Sequence, residues 1–252
     1  MLKLAKMIII SAILAAAMDP AVLASDEVSA LKMSKDYCEI SVSALRRIHL
    51  SVGYHEGLFY DGKNIWVCNG KKGKIWIIDA ADEKVISNIE PISVFTEGIT
   101  GAPGGRFYAT DWDEERLYIA RLEGNKMVEE SSVSLAPAHP TGVIYIGSRL
   151  FVITWTHGMG TKFDILEMDG KLNIKNKIAV KRIEEPAHMA WDGKNLWITS
   201  WYSRMVYKVD IDTWEILGFF NSPVSQATGI AWDGKYLWLT GTHGDLYKLE
   251  IL

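Results

Sequence analysis

Gly229–Leu252 reads G-I-A-W-D-G-K-Y-L-W-L-T-G-T-H-G-D-L-Y-K-L-E-I-L, and two other stretches say nearly the same: G-L-F-Y-D-G-K-N-I-W-V from Gly57 and H-M-A-W-D-G-K-N-L-W-I-T from His188. Looser copies are G-I-T-G-A-P-G-G-R-F-Y-A-T-D from Gly98 and G-V-I-Y-I-G-S-R-L-F-V-I-T-W from Gly142. The starts at 57, 98, 142, 188 and 229 lie 41, 44, 46 and 41 residues apart. A period of roughly 40–50 residues filled with short strands marks a β-propeller, one four-stranded blade per repeat. The expected fold is therefore all-β: a five-bladed β-propeller, one domain over 25–252.

Within a repeat, the first strand starts at the repeated Gly and ends at Asp61-Gly62, Asp192-Gly193 or Asp233-Gly234. These pairs read as two-residue hairpin turns, because Gly accepts the positive φ of a type I′ turn. A second strand follows, with Trp66, Trp197 and Trp238 at its centre as core between blades. The fifth repeat stops after its third strand. Glu39–Leu50 precedes the first repeat as the fourth strands precede the others, so it is expected to complete the last blade and close the ring. Ser25–Tyr37 is then a mobile lead-in.

Hydrophobic residues make up 48% of the 252 and charged residues 23%, the balance of a globular protein. A net charge of −4 offers no basic surface for nucleic acid or anionic membranes. In residues 1–24, Lys3 and Lys6 precede an apolar run from Met7 to Met18, and Val22-Leu23-Ala24 suits a signal peptidase. This segment reads as a secretory signal peptide, which makes the mature chain secreted or periplasmic. The run is shorter than the roughly 20 residues of a spanning helix, and the alternative is an uncleaved anchor. Cys38 and Cys68 fall at opposite ends of their blades and read as separate thiols. No C-x-x-C is present, no cofactor or metal motif occurs, and a monomer is expected.

Strands within a blade alternate in direction, so the loops sort by face. The D-G-K turns mark one face. The other collects the starts of the first strands and the ends of the second. There Glu56, Glu97 and His188 are expected to ring the channel mouth. Trp112, Trp155 and Trp201 stand around it, with His157 and His243 further out. Aromatic walls with a few carboxylates and imidazoles in a concavity form a ligand site for a peptide or small molecule. The Thr recurring after the second strand reads as structural. Metal binding by Glu56, Glu97 and His188 has no local spacing to support it.

The arrangement resembles the plant- and bacterial-type glutaminyl cyclases (glutamine cyclotransferases), exported five-bladed propellers. Phe95-Thr96-Glu97-Gly98-Ile99-Thr100 is similar to that family's F-G-E-G-I-T motif. Gly53-Tyr54-His55-Glu56-Gly57-Leu58 takes the place of its F-T-Q-G-L, and Gly229–Ile251 is similar to its ending. The resemblance implies cyclisation of N-terminal glutamine to pyroglutamate with ammonia release. Glu97 would be the catalytic, proton-transferring carboxylate. Phe95 would be an aromatic wall, and Trp112 and Trp201 substrate-binding tryptophans. Glu56 stands where the family has Gln. Three departures are plain: Ala187-His188-Met189-Ala190 replaces N-E-L-E, Thr242 replaces the lysine of V-T-G-K, and Pro140-Thr141-Gly142-Val143 lacks the Trp of G-W-G-L-T. Asn69 and His188 are then the remaining groups for an oxyanion. Two alternatives stay open: a non-catalytic propeller binding a peptide or small ligand at the same mouth, and a metal-dependent hydrolase or lyase.

Overall fold

The alternating apolar stretches all form strands. The computed structural model describes residues 29–50, 53–70 and 73–252, and these contain no α-helix. The expected signal peptide at 1–24 lies outside the described residues. Three strands come first: β1 (Ser29–Ala30), β2 (Lys32–Glu39) and β3 (Val42–His49). Blade 1 is β4 (His55–Tyr60), β5 (Asn64–Asn69), β6 (Lys74–Asp79) and β7 (Lys84–Ile89). Blade 2 is β8 (Thr96–Ala102), β9 (Arg106–Asp111), β10 (Arg116–Glu123) and β11 (Lys126–Ser134). Blade 3 is β12 (Ala138–Ile146), β13 (Arg149–Thr156), β14 (Lys162–Met168) and β15 (Ile174–Ala179). Blade 4 is β16 (Pro186–Trp191), β17 (Leu196–Ser200), β18 (Met205–Val209) and β19 (Glu215–Asn221). Blade 5 has β20 (Ala227–Trp232), β21 (Leu237–Gly241) and β22 (Asp245–Ile251).

The inner strands touch in a closed circle: β4 meets β8, β8 meets β12, β12 meets β16, β16 meets β20, and β20 returns to β4. The ring is a five-bladed propeller. Its fifth blade is completed by β3, which pairs antiparallel with β22 from His49 opposite Asp245 to Val42 opposite Ile251.

The lead-in differs from expectation. From Ser29 onward it is strand: β1 lies parallel on the outer strand β15, and β2 parallel on the outer strand β19. The physical reason is that each outer strand leaves a row of backbone donors and acceptors in need of partners. Leu31 is buried against blades 3 and 4, and Tyr37 stacks on Phe219 at 5.3 Å. The N-terminal segment is a strap across blades 3, 4 and 5.

Side chains alternate along each second strand, so each is buried on both faces. In β17, Leu196 and Ile198 pack toward blade 3, while Trp197 packs toward blade 5. In β21, Leu237 and Leu239 pack toward blade 4, while Trp238 packs toward blade 1. In β5, Ile65 and Val67 face blade 5, while Trp66 and Cys68 face blade 2. Cys68 is buried, Cys38 exposed, and both are free thiols. Among the described residues no helix is long and apolar enough to cross a membrane.

The D-G-K-x-[IL]-W motif is one hydrogen-bonded unit. Asp233 Oδ1 accepts from the backbone N–H of Lys235 at 2.9 Å and of Tyr236 at 2.7 Å, and its Oδ2 accepts from the Trp238 indole at 2.7 Å. Asp61 holds Trp66 and Asp192 holds Trp197 in the same way. The turn differs from the expected form by one residue. The Asp61 N–H donates to the Asn64 carbonyl at 3.1 Å, so Gly62 and Lys63 form the loop, and Gly62 takes φ 99° while Asp61 does not turn positive. The motif thus anchors the core indole rather than making a tight type I′ turn. Asp233→Ala is expected to lower stability by about 2–3 kcal/mol, because a buried indole N–H and two turn amides lose their acceptor. Urea denaturation checks this: the midpoint falls and the slope stays unchanged.

Candidate active site

Each inner strand breaks register at the same height: between His55 and Leu58, Thr96 and Gly98, Pro140 and Val143, Pro186 and Met189, and Ala227 and Gly229. Such a bulge re-aims consecutive side chains. The residue just ahead of each repeat start is Glu56, Glu97, Thr141, Ala187 or Thr228, and all five line one cavity of about 350 Å³ at the channel mouth. A larger cleft of about 790 Å³ lies along the edge of blade 3, around Phe163, Lys177 and Arg182, and shares no residue with the mouth.

One position deeper come Gly57, Gly98, Gly142, His188 and Gly229. Glycine is needed there because the inner strands crowd the axis. A Cβ on Gly57 would sit 2.6 Å from His188 Nε2, and one on Gly98 2.6 Å from the Thr141 carbonyl oxygen. The space left beside the glycines is filled by the one imidazole. His188 is 1% exposed and does not line the cavity; it closes the channel beneath it. Burial pushes its imidazole down to about 4, so it is neutral at physiological pH.

The walls are aromatic. Tyr54 and Phe95 come from the segments leading into β4 and β8, and Trp112, Trp155 and Trp201 from the ends of the second strands. Asp113 and Glu185 complete the lining. Several rings are fixed from behind. Trp112 stacks on His139 at 4.6 Å and stands edge-on to Trp155 at 5.3 Å and 83°. His139 Nδ1 donates to the Trp112 carbonyl at 3.0 Å, and the Trp155 indole donates to the Pro186 carbonyl at 2.7 Å. The backbone N–H of Phe95 donates to Asp111 Oδ2 at 3.1 Å.

Glu56 and Glu97, from neighbouring blades, share a side-chain hydrogen bond. Glu56 is 3% exposed, whereas Glu97 keeps part of its surface open to the cavity. Burial, then the charge of Glu97, raises Glu56 well above the ordinary carboxyl range. Burial is also the main force on Glu97, pushed up to about 8; the proton offered by Glu56 opposes the rise, and Asp111 and Asp113 add to it. The pair holds a proton at neutral pH, and Glu97 exchanges its proton near the pH at which amines do.

These groups set a pH dependence of stability. A carboxyl raised in the folded state keeps a proton that the unfolded chain releases, so its contribution is full below the ordinary 4.5 and is lost as pH climbs through the raised value. His188 acts oppositely: its contribution is present above 6.5 and is lost as pH falls toward about 4. Between 4.5 and 6.5 the slopes oppose; above 6.5 the acid pair acts alone. Glu56→Gln is expected to remove one buried titration and flatten the loss from pH 6.5 to 8.5 by up to about 1.4 kcal/mol per pH unit. Denaturation midpoints of both proteins at pH 6.5 and 8.5 test this.

The structure brings Glu56, Phe95, Glu97, Trp112, Trp155 and Trp201 onto one cavity, while His188 lies beneath it and Asn69 is buried against Gly53, off the lining. His157 and His243 are exposed. The recurrent threonines bond backbone: Thr110 to the Thr141 carbonyl, Thr240 to that of Asp245, and Thr199 accepts from the His188 N–H. Sequence reasoning missed Tyr54, Asp113, Thr141 and Glu185 as lining residues. Thr141 carries the most chemistry of these: it is 4% exposed, and its hydroxyl has no protein partner among the described residues. Its signal was available, since it holds the repeat position of Glu56 and Glu97. No group of three or more His, Cys, Asp or Glu among the described residues is arranged to hold a metal ion.

No family model matches the chain, and no curated protein matches it either. Among solved structures, the glutaminyl cyclase of Myxococcus xanthus superposes with a TM-score of 0.68 over 86% of this chain and 100% of its own, at 16% identity. A luciferin-regenerating enzyme superposes with a TM-score of 0.55 over 84% of this chain and 96% of its own, at 14% identity. At these identities the likeness is one of fold.

Proposed function

We propose that the chain is an exported glutaminyl-peptide cyclotransferase, closing N-terminal glutamine to pyroglutamate with release of ammonia. The observation that carries this reading is Glu97: a carboxyl titrating near 8, open to a cavity walled by tryptophans and backed by a second, buried carboxyl. The α-amine nitrogen attacks the γ-amide carbon of the same residue, the lactam C–N bond forms, and the bond to the amide nitrogen breaks. Glu97 takes a proton from the attacking amine and passes it to the departing nitrogen, which leaves as ammonia. The tryptophan walls hold the side chain folded back on its own amine. The Thr141 hydroxyl, without a protein partner among the described residues, donates to the oxygen that gains charge. Export follows from the leader-like character of residues 1–24.

The experiment is ammonia release from a glutaminyl peptide by purified protein, with the pyroglutamyl product identified by mass. Turnover is expected to rise from pH 6 to 8, as both Glu97 and the α-amine lose their protons. Thr141→Val is expected to lower kcat about tenfold to a hundredfold with KM little changed. One observation favours a second reading: among the described residues no lysine, arginine or asparagine lines the cavity. A folded protein without ammonia release would make the chain a binding propeller using the same mouth.

A further inference from the structure

The chemistry of the cavity lining is one-sided. Four carboxyl residues line it (Glu56, Glu97, Asp113 and Glu185), together with five aromatic rings and, among the described residues, no Lys, Arg or His. Two carboxyl groups have oxygens without a protein partner among the described residues: Oε1 of Glu56, which is 3% exposed, and Oε2 of Glu185. Burial, and then Glu184, raises the Glu185 carboxyl as well. Acidic groups are thus concentrated in a recess whose described lining offers no base to pair with them as they ionise. An isolated buried carboxylate is costly unless paired, and a cation supplied from outside removes that cost.

The rings add direction. Trp112 and Trp155 meet at 83° and form a corner. Tyr54 and Phe95, 5.8 Å apart and tilted at 49°, form a second pair, and Trp201 adds a fifth ring. Perpendicular aromatic faces around a recess bind a cation through the negative faces of the rings, and this suits an organic ammonium with its greasy shell better than a hydrated metal ion.

We infer that the channel mouth is a recognition site for organic ammonium groups, primary or methylated, and that it rejects ligands carrying a carboxylate beside the ammonium. The inference stands on the lining and holds whether or not the chain cyclises glutamine. If it does, the same lining separates substrate from product. The α-ammonium of a glutaminyl peptide is a cation, whereas the lactam nitrogen of pyroglutamate is a neutral amide, so the reaction destroys the group that the site holds. It also favours peptides over free glutamine, whose own carboxylate would face Glu97 and Glu185.

The test is binding of choline to the purified protein, read by calorimetry and by tryptophan fluorescence. 3,3-Dimethylbutan-1-ol serves as its neutral carbon isostere and trimethylglycine as its carboxylate analogue. Choline is expected to bind at least tenfold more tightly than either. Trp112→Leu should lose at least tenfold, while Trp112→Phe stays within about threefold and shows that the corner needs a ring rather than bulk. Equal affinity for the neutral isostere, or for trimethylglycine, overturns the inference, and so does no choline binding by a folded protein. The arms separate from cyclisation: choline binding without ammonia release leaves an ammonium-binding propeller, and ammonia release without choline preference keeps the enzyme and discards this site chemistry.

Discussion

Glu97→Gln is expected to lower kcat/KM for ammonia release from a glutaminyl peptide by about 10³-fold, within the range of a general acid–base group. The substitution keeps shape and removes the only function that cyclisation needs from this side chain, carriage of a proton between two nitrogens. It should not unfold the protein. Glu97 and Glu56 form a buried pair whose ionisation the fold resists, so an amide in place of one carboxyl relieves the folded state at neutral and alkaline pH. Activity and stability should therefore move in opposite directions: turnover falls, and the denaturation midpoint at pH 8 stays level or rises. This is the pattern of a group kept for chemistry at a cost to folding. A Glu97→Gln protein that is active within tenfold of wild type removes Glu97 from the reaction. One that is inactive but also strongly destabilised makes it a packing residue.

The blades were legible because each rests on a short, repeated physical rule. Asp, Gly and Trp at fixed offsets specify a turn that seizes an indole, and alternation buries both faces of the second strand. The acids of the mouth were legible for the same reason, since Glu56 and Glu97 stand at one position of the repeat. What the repeat could not carry was any contact made once. Ser29–Tyr37 follows no periodic pattern, and its partners are backbone edges some 150 residues or more away in sequence, so it reads as a loose lead-in although it is strand; Glu39, expected in the closing strand, ends β2 instead. His188 stands where the other repeats have Gly, and that exception read as a ligand-binding imidazole. Its place was decided by the width of the channel, which is a property of the closed ring: four glycines leave a space, and the ring fills it. Thr141 lies at the position of the two acids, yet a threonine there carries no meaning until its hydroxyl is seen to lack a protein partner among the described residues.

Removal of residues 1–50 is expected to abolish the cooperative unfolding transition, whereas removal of residues 1–41 leaves a folded protein of reduced stability. The difference is β3. Without it, blade 5 ends at β22 and loses the ladder from Val42 to His49, the Arg47–Asp245 ion pair at 2.7 Å, and Leu50. Leu50 is 2% exposed and packs in the cluster that holds Trp238 and Leu58, where blade 5 meets blade 1. Loss of one buried leucine side chain costs about 2–5 kcal/mol, and whole domains hold about 5–15. Loss of a full strand at the seam exceeds what a ring of this size can spare, and it also bares an edge that invites aggregation. β1 and β2 lie on outer edges of blades that already have four strands, so their removal takes away Leu31 and Tyr37 and uncovers the apolar surface they pack on, part of Phe219 included, without opening the ring. Urea titrations followed by tryptophan emission separate the cases. The protein starting at Val42 should retain one sharp transition at lower urea, and the protein starting at Ser51 none. A sharp transition from both would place closure in the contact of β20 with β4 alone and make β3 an accessory.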